Sequence, residues 1–382
     1  MLEKQNNIYF KGLNALRFFA ALAVIITHVE LIKGQMNCQN LYYGSKLIME
    51  LGELGVVFFF VLSGFLITFL LLTEKEKTGT IAVKKFYLRR VLRIWPLYFL
   101  ITALGFFILP HLHFIDNTFL SPFNGYTYTL NLILFIIMLP NIAFVFFKPM
   151  PHIGQTWSIG IEEQFYLLWP WLVKHSKNIL KTLFILIFIL FVVKAFILFL
   201  YKTNSNSLFY TNLKGIVAML KIESMAIGGI GAWLVFKQKY YQNLLSNTIL
   251  LISLLLVVLL IYFTPNIIQD AIFLVYSVLF LIIILNVSLN KNCYLKLENK
   301  LFVFLGNLSY GIYMYHMIVI ALLIGTLQHF GIIVNNSIFS QIVIYGISIL
   351  ATIFVSWLSY TFFEKPFLKL KHKFTVIESG SF

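Results

Sequence analysis

Ten apolar stretches, each of membrane-spanning length, divide the chain: residues 13–32, 54–73, 88–109, 127–147, 178–201, 213–236, 247–263, 268–288, 301–324 and 339–363. Hydrocarbon offers no partner to a backbone N–H or C=O, so only helices and closed barrels cross it. A barrel strand needs about 9–11 residues, whereas these runs match the roughly 20 of a helix. The expected fold is an all-α polytopic membrane protein with about ten transmembrane helices. Composition agrees: 60% of the 382 residues are hydrophobic and only 11% charged, too few to coat a soluble domain of this size. Residues 1–373 are therefore expected to form one membrane domain. Residues 374–382 are expected to be a short cytoplasmic tail that frays. The first stretch has no A-x-A-like exit and is followed by further spans, so it reads as a retained helix rather than a signal peptide.

Charge sets the expected direction. The net charge of +15 is explained by the excess of Lys and Arg on cytoplasmic loops rather than by nucleic acid. With the N-terminus inside, the cytoplasmic segments carry 23 Lys and Arg and the outer segments 4. That split places both termini in the cytoplasm of a multi-pass protein of the cell (inner or plasma) membrane, in contact with its lipids. One segment does not fit the alternation. TWSIGIEEQFYLLWPWLV, 156–173, is apolar, yet it holds two carboxylates and Pro170, with Lys148 before it and Lys174 and Lys177 after it. It is expected to be a short re-entrant or interfacial helix facing the cytoplasm, which survives only where protein or water surrounds it. Cys38 falls in an outer loop and Cys293 in an inner one, so they are not expected to pair.

Ionisable residues inside spans point to function by default. Arg17 and His28 lie in the first span, eleven positions apart. At about 100° per residue they share a face, roughly 16 Å apart along the axis. A buried polar track ending in His28 is one reading; Arg17 snorkelling to headgroups with His28 at the far interface is the other. Arg90 and Arg93 share a face at the cytoplasmic mouth of the third span, with Arg89 beside them. Their guanidinium forks suit phosphate, and the same residues also satisfy the inside-positive bias. Glu162 is an i,i+4 neighbour of both Ser158 and Tyr166, and Glu163 points about 100° away. Carboxylates among aromatics need cations, protons or water. Lys221 and Glu223 are two apart in a span and need partners elsewhere. His316 follows Tyr313 by one turn, and Glu364 precedes Lys365 and Pro366 at the end of the last span. No metal site is expected. HLH at 111–113, with Asp116 nearby, lacks further ligands.

Together these segments resemble the acyltransferase family three of integral membrane proteins, which includes O-acetylases of bacterial surface glycans. The resemblance is carried by LNALRFFAALAVIITH with its Arg-x10-His spacing, GVVFFFVLSGFLI, FYLRRVLRIWPLY, TWSIGIEEQFYLLWP, LGNLSYGIYMYH and YTFFEKPF. It implies transfer of an acyl group, most often acetyl from cytosolic acetyl-CoA, to a hydroxyl of a cell-surface or lipid-linked glycan. It also implies essential roles for His28, Arg17, Arg90 and Arg93. Lys221 stands where the family pattern leads one to expect Arg. Some members carry a further soluble hydrolase-like domain; with the chain ending at 382, any such partner enzyme is expected to be separate.

The residue reading assigns roles within that reaction. Arg90 and Arg93 hold the phosphates of acyl-CoA. His28 acts as general base towards the acceptor hydroxyl, or alternatively as a transient acyl carrier. Arg17 with Glu162 or Glu163 orients the track, and Ser158, Glu223, His316 and Glu364 are further candidates. Glu30 becomes a partner for His28 only if the helix ends there. The rival class is a transporter of a glycan or lipid-linked intermediate, in which intramembrane charges are equally at home. A scaffold or sensor without chemistry is the third.

Overall fold

The apolar runs become helices. The computed structural model describes residues 7–42, 44–112, 114–115, 125–147, 150–239, 241–264, 269–332 and 337–379. In order they form α1 (Leu13–Gln35), α2 (Lys46–Thr78), α3 (Val83–Ala103), α4 (Gly125–Ile136), α5 (Pro140–Phe146), α6 (Thr156–His175), α7 (Ile179–Thr203) and α8 (Leu208–Met219). Then come α9 (Ile222–Phe236), α10 (Asn247–Phe263), α11 (Gln269–Leu289), α12 (Lys300–Asn307), α13 (Ser309–His329), α14 (Ile338–Ser359) and α15 (Lys365–Lys371). The chain is an all-α polytopic membrane protein. Among the described residues eight helices are long and apolar enough to cross a membrane, and two shorter apolar ones lie at Thr127–Ile136 and Asn247–Phe263. A two-residue parallel ladder pairs Asn7 with Glu378 and Ile8 with Ser379, which brings the two described termini together at one end of the bundle. The Phe374 carbonyl also accepts from Arg89 at 2.9 Å.

The segment expected to be re-entrant packs lengthwise inside the bundle. α6 runs antiparallel to α3 along its whole length. Ile153 sits against Gly105, Glu163 accepts from Trp95 Nε1 at 3.1 Å, and Tyr87 donates to the Leu167 carbonyl at 2.6 Å. Its last turn reaches Lys75, which donates to the Val173 carbonyl at 2.8 Å. Twenty residues at about 1.5 Å each span roughly 30 Å, enough to cross. α4 and α5 instead form a hairpin that dips from the far end and returns. Tyr128 of α4 bonds the Phe106 carbonyl and Tyr98 bonds the Phe135 carbonyl. The chain then turns at Met138, whose φ is 62°. Asn141 meets Gln164 at 2.9 Å, and Phe144 has climbed back to the level of Gly154. Among the described residues the eight candidate crossings are α1, α2, α3, α7, the broken pair α8–α9, α11, α13 and α14. The short α10 runs alongside them. Its first residue bonds the Asn292 carbonyl at one end, and Thr264 beyond its last turn accepts from Lys46 at the other. Lys148, His113 and Asp116 lie outside the described residues.

Two glycines set the tightest helix pair. A Cβ on Gly64 of α2 would lie 1.9 Å from the Met225 carbonyl oxygen, and one on Gly228 of α9 would lie 2.0 Å from that of Val61. Without a strong hydrophobic force between helices in lipid, such close backbone approach supplies the packing. Gly228→Ala should therefore lower the thermal midpoint of the purified protein by an amount matching an overpacked core, about 1–3 kcal/mol or more. Gly346→Ala is the control, because nothing lies within 4 Å of its added methyl. Equal midpoints for the two variants would mean the α2–α9 crossing yields freely.

The buried charges of this scaffold find partners on other elements. Lys221 pairs with Glu53 at 2.8 Å and Lys194 with Glu223 at 2.5 Å. Glu223 is thus a structural ion pair, removed from the cavity described below. Glu30 pairs with Lys33 at 2.9 Å and accepts from Tyr345 at 2.8 Å and from the Leu41 N–H. It is not a partner for His28: α1 continues past it to Gln35. Both cysteines are free thiols, Cys38 half-buried and Cys293 buried.

Candidate active site

A cavity of about 190 Å³ opens near the paired termini and is walled by α1, α2, α3, α6 and α13. Each helix contributes polar side chains because only positions facing such a space tolerate them in a span. α1 supplies Arg17; α2 supplies Ser63 from an otherwise largely apolar run; α3 supplies Arg90 and Arg93. α6 supplies Ser158, Glu162 and Tyr166, and α13 supplies Tyr310 and Tyr313.

The charge balance is positive. Arg17 Nη1 donates to Asn14 Oδ1 at 3.1 Å. Arg90 is half-buried; its guanidinium lies 5.7 Å from the ring centres of both Phe86 and Tyr166, and its Nε has no partner. Arg93 is exposed and makes no ion pair among the described residues. Lys371 of α15 stands in the field of the same arginines. Against them the cavity wall sets one carboxylate. Glu162 accepts from Ser63 at 2.5 Å and from Tyr166. Three guanidinium groups with a single fixed anion make a site for an anionic ligand.

Three expected members lie elsewhere. Arg89 turns away, ion-paired with Glu74 at 3.4 Å. Glu163 does not line the cavity; it accepts from Trp95 on α3, and its Oε1 is buried without a partner. The 100° step between neighbours on a helix separates it from Glu162. Glu364 lies behind the wall on a π turn, Tyr360–Glu364, and accepts from Ser359 at 3.0 Å. Ser63, Tyr310 and the N-terminal segment Ile8–Phe10 line the cavity without having been singled out from sequence. A lone Ser-Gly in an apolar run was the available signal for Ser63.

The cavity ends at Tyr313, and the histidines lie beyond it. Tyr313 and Ser158 share a hydrogen bond of 2.6 Å. The Tyr313 ring packs on His316 at 5.7 Å between centres, and His316 packs edge-on against His28 at 4.9 Å. The order along the bundle is thus Arg17, Tyr313, His316, His28. His28 is half-buried and its Nδ1 lies 2.8 Å from the Val24 carbonyl. A carbonyl only accepts, so Nδ1 carries the proton and Nε2 is the basic nitrogen.

An acyltransferase domain family matches residues 10–361. The chain belongs to that acyltransferase family. A Staphylococcus aureus (strain COL) protein provisionally named as an O-acetyltransferase is 29% identical over 94% of this chain and 58% of its own length. The peptidoglycan O-acetyltransferase OatA of Listeria monocytogenes is 27% identical over 94% of this chain and 56% of its own. The O-acetyltransferase OatA of Staphylococcus aureus (strain NCTC 8325) is 28% identical over 94% and 57%. The chain thus spans little more than half the length of these relatives. No solved structure matches it. Among the described residues no group of three or more side chains could hold a metal ion.

Proposed function

We propose that this acyltransferase is a membrane O-acetyltransferase that moves an acetyl group from acetyl-CoA to a hydroxyl of a cell-surface or lipid-linked glycan. The observation that carries the reading is a cavity with three arginines and one carboxylate, leading through Tyr313 to a buried histidine pair. Acetyl-CoA is highly anionic and cytosolic, so the cavity and both termini face the cytoplasm, as the strong excess of Lys and Arg on that side supports. The relatives named for O-acetyl transfer, one of them to peptidoglycan, support a glycan acceptor.

In this reading Arg90 and Arg93 grip the phosphates of the donor, and Arg17 with Glu162 shapes the wall along which the acyl arm runs. His28 Nε2 takes the proton of the acceptor hydroxyl. The oxygen attacks the thioester carbonyl, the C–S bond breaks, and the proton leaves with the thiolate. Residues 1–373 act as one membrane domain.

Coenzyme A titrated into the purified protein should bind, and binding should weaken with salt because the grip is on phosphates at an open mouth. An absence of binding at low salt would remove the donor from this account.

A further inference from the structure

The grip of Arg90 and Arg93 accounts for only part of the donor's charge. Coenzyme A carries a pyrophosphate next to its pantothenoyl arm and a separate phosphate monoester on the 3′ oxygen of its adenosine. The cavity, about 190 Å³, is smaller than the roughly 300–1,000 Å³ that takes a whole drug-sized ligand. With the arm inside and the pyrophosphate on the two arginines, the nucleoside end lies at the mouth. A phosphate monoester carries about −1.5 to −2 charge at neutral pH, so it calls for a cation of its own there.

The helix at that rim is α15. It packs along α3, the helix that carries both arginines, and its last residue is Lys371. The chain beyond it is tied down. Thr375 Oγ1 donates to the Lys371 carbonyl at 3.3 Å, and Glu378 and Ser379 pair with Asn7 and Ile8. Ile8, Tyr9 and Phe10 in turn line the cavity. Lys365, Lys369 and Lys373 around it are exposed, as residues serving only the inside-positive bias would be, whereas Lys371 is half-buried. Lys371 makes no ion pair among the described residues. The charges that act on it are all positive, those of Arg93, Arg90, Arg89 and Arg17. Of these, Arg89 is answered by Glu74, and the cavity wall offers the single carboxylate of Glu162. Partly buried charges are screened much less than exposed ones. Holding Lys371 among arginines therefore costs free energy that a bound polyanion offsets.

Resting on the proposed use of acetyl-CoA, we propose that Lys371 is a specificity-determining residue for the donor: its ammonium takes the 3′-phosphate of the nucleotide while Arg90 and Arg93 take the pyrophosphate. The division suits the two kinds of cation. A guanidinium fork matches bridged phosphates bidentately, and a compact ammonium on a flexible stem serves a terminal phosphate as a point charge. The C-terminal helix thereby becomes part of the donor site rather than a trailing end.

The test compares binding of coenzyme A and of 3′-dephospho-coenzyme A to the purified protein at low salt. Wild type should bind coenzyme A roughly tenfold or more tighter, the worth of one charge-assisted contact to phosphate. In Lys371→Met, which keeps the apolar stem, the ratio of the two Kd values should fall close to one. Lys371→Gln is a second neutral form should the methionine variant fail to assemble. Lys371→Arg keeps the charge and should keep most of the ratio, and Lys369→Met should keep all of it. General damage weakens both ligands alike and leaves the ratio standing, so the ratio decides. Equal Kd values in wild type, a wild-type ratio in the neutral variants, or an arginine form as indifferent as methionine would each overturn the proposal. A wild-type protein that binds neither ligand would instead overturn the acetyl-CoA reading on which it rests.

Discussion

His28→Gln is expected to leave an inserted, stable protein with almost no transfer activity. Removing a positioned general base typically costs about 10²–10⁴ in rate. Glutamine is close in size and can still donate to the Val24 carbonyl that holds the native ring, but it has no titrating nitrogen. Stability is expected to change little. His28 is half-buried, and its loss strands no ion partner, because Glu30 is satisfied elsewhere. Replacing a polar ring in a span also relieves a desolvation cost. His28→Ala should be as inactive as the glutamine variant. If His28 merely tethers α1, the glutamine variant keeps close to wild-type activity while alanine loses some, and Glu162 becomes the next candidate base. The readout is acetyl transfer in proteoliposomes of matched protein content.

The second large effect is on the donor. Arg90→Ala with Arg93→Ala is expected to raise the KM for acetyl-CoA at least tenfold. Each charge-assisted contact to phosphate is worth about 1.5–3 kcal/mol, and about 1.4 kcal/mol is a factor of ten. Arg90 carries the larger share: it is half-buried between Phe86 and Tyr166, whereas Arg93 is exposed and more screened. Arg→Lys at both sites restores only part, since a single ammonium cannot reproduce the planar fork. Arg89→Ala should leave donor KM unchanged, because its guanidinium is engaged by Glu74 and the Phe374 carbonyl. A double variant that folds normally and keeps the wild-type donor KM would reduce Arg90 and Arg93 to topology determinants.

The all-α polytopic fold was legible because most helices are runs of apolar residues of spanning length, and nearly the whole chain consists of such runs. The break inside residues 127–147 was not: α4 and α5 turn back on each other at Met138. α6 reads as a poor span because it carries Glu162 and Glu163, which face the cavity and Trp95.

The site was legible where one helix carries the information. The Arg17–His28 spacing, the separation of Glu162 from Glu163, and the shared face of Tyr313 and His316 all follow from helical periodicity. What required two helices was hidden. Nothing in the sequence says that His316 meets His28, that Glu30 is taken by Lys33 and Tyr345, or that Arg89 pairs with Glu74. Glu364 was found as an unexplained acid at a helix end, but its place behind the wall depends on the π turn that carries it.

The most direct test follows both products of the proposed reaction. Purified wild-type protein in proteoliposomes is given radiolabelled acetyl-CoA and a glycan acceptor, and free coenzyme A thiol and base-labile acetyl ester are measured together. The account predicts that thiol and ester appear in equal amounts, that both need the acceptor, and that both vanish in His28→Gln. Movement of intact glycan across the bilayer with no thiol released from acetyl-CoA would contradict it and place the chain among transporters instead.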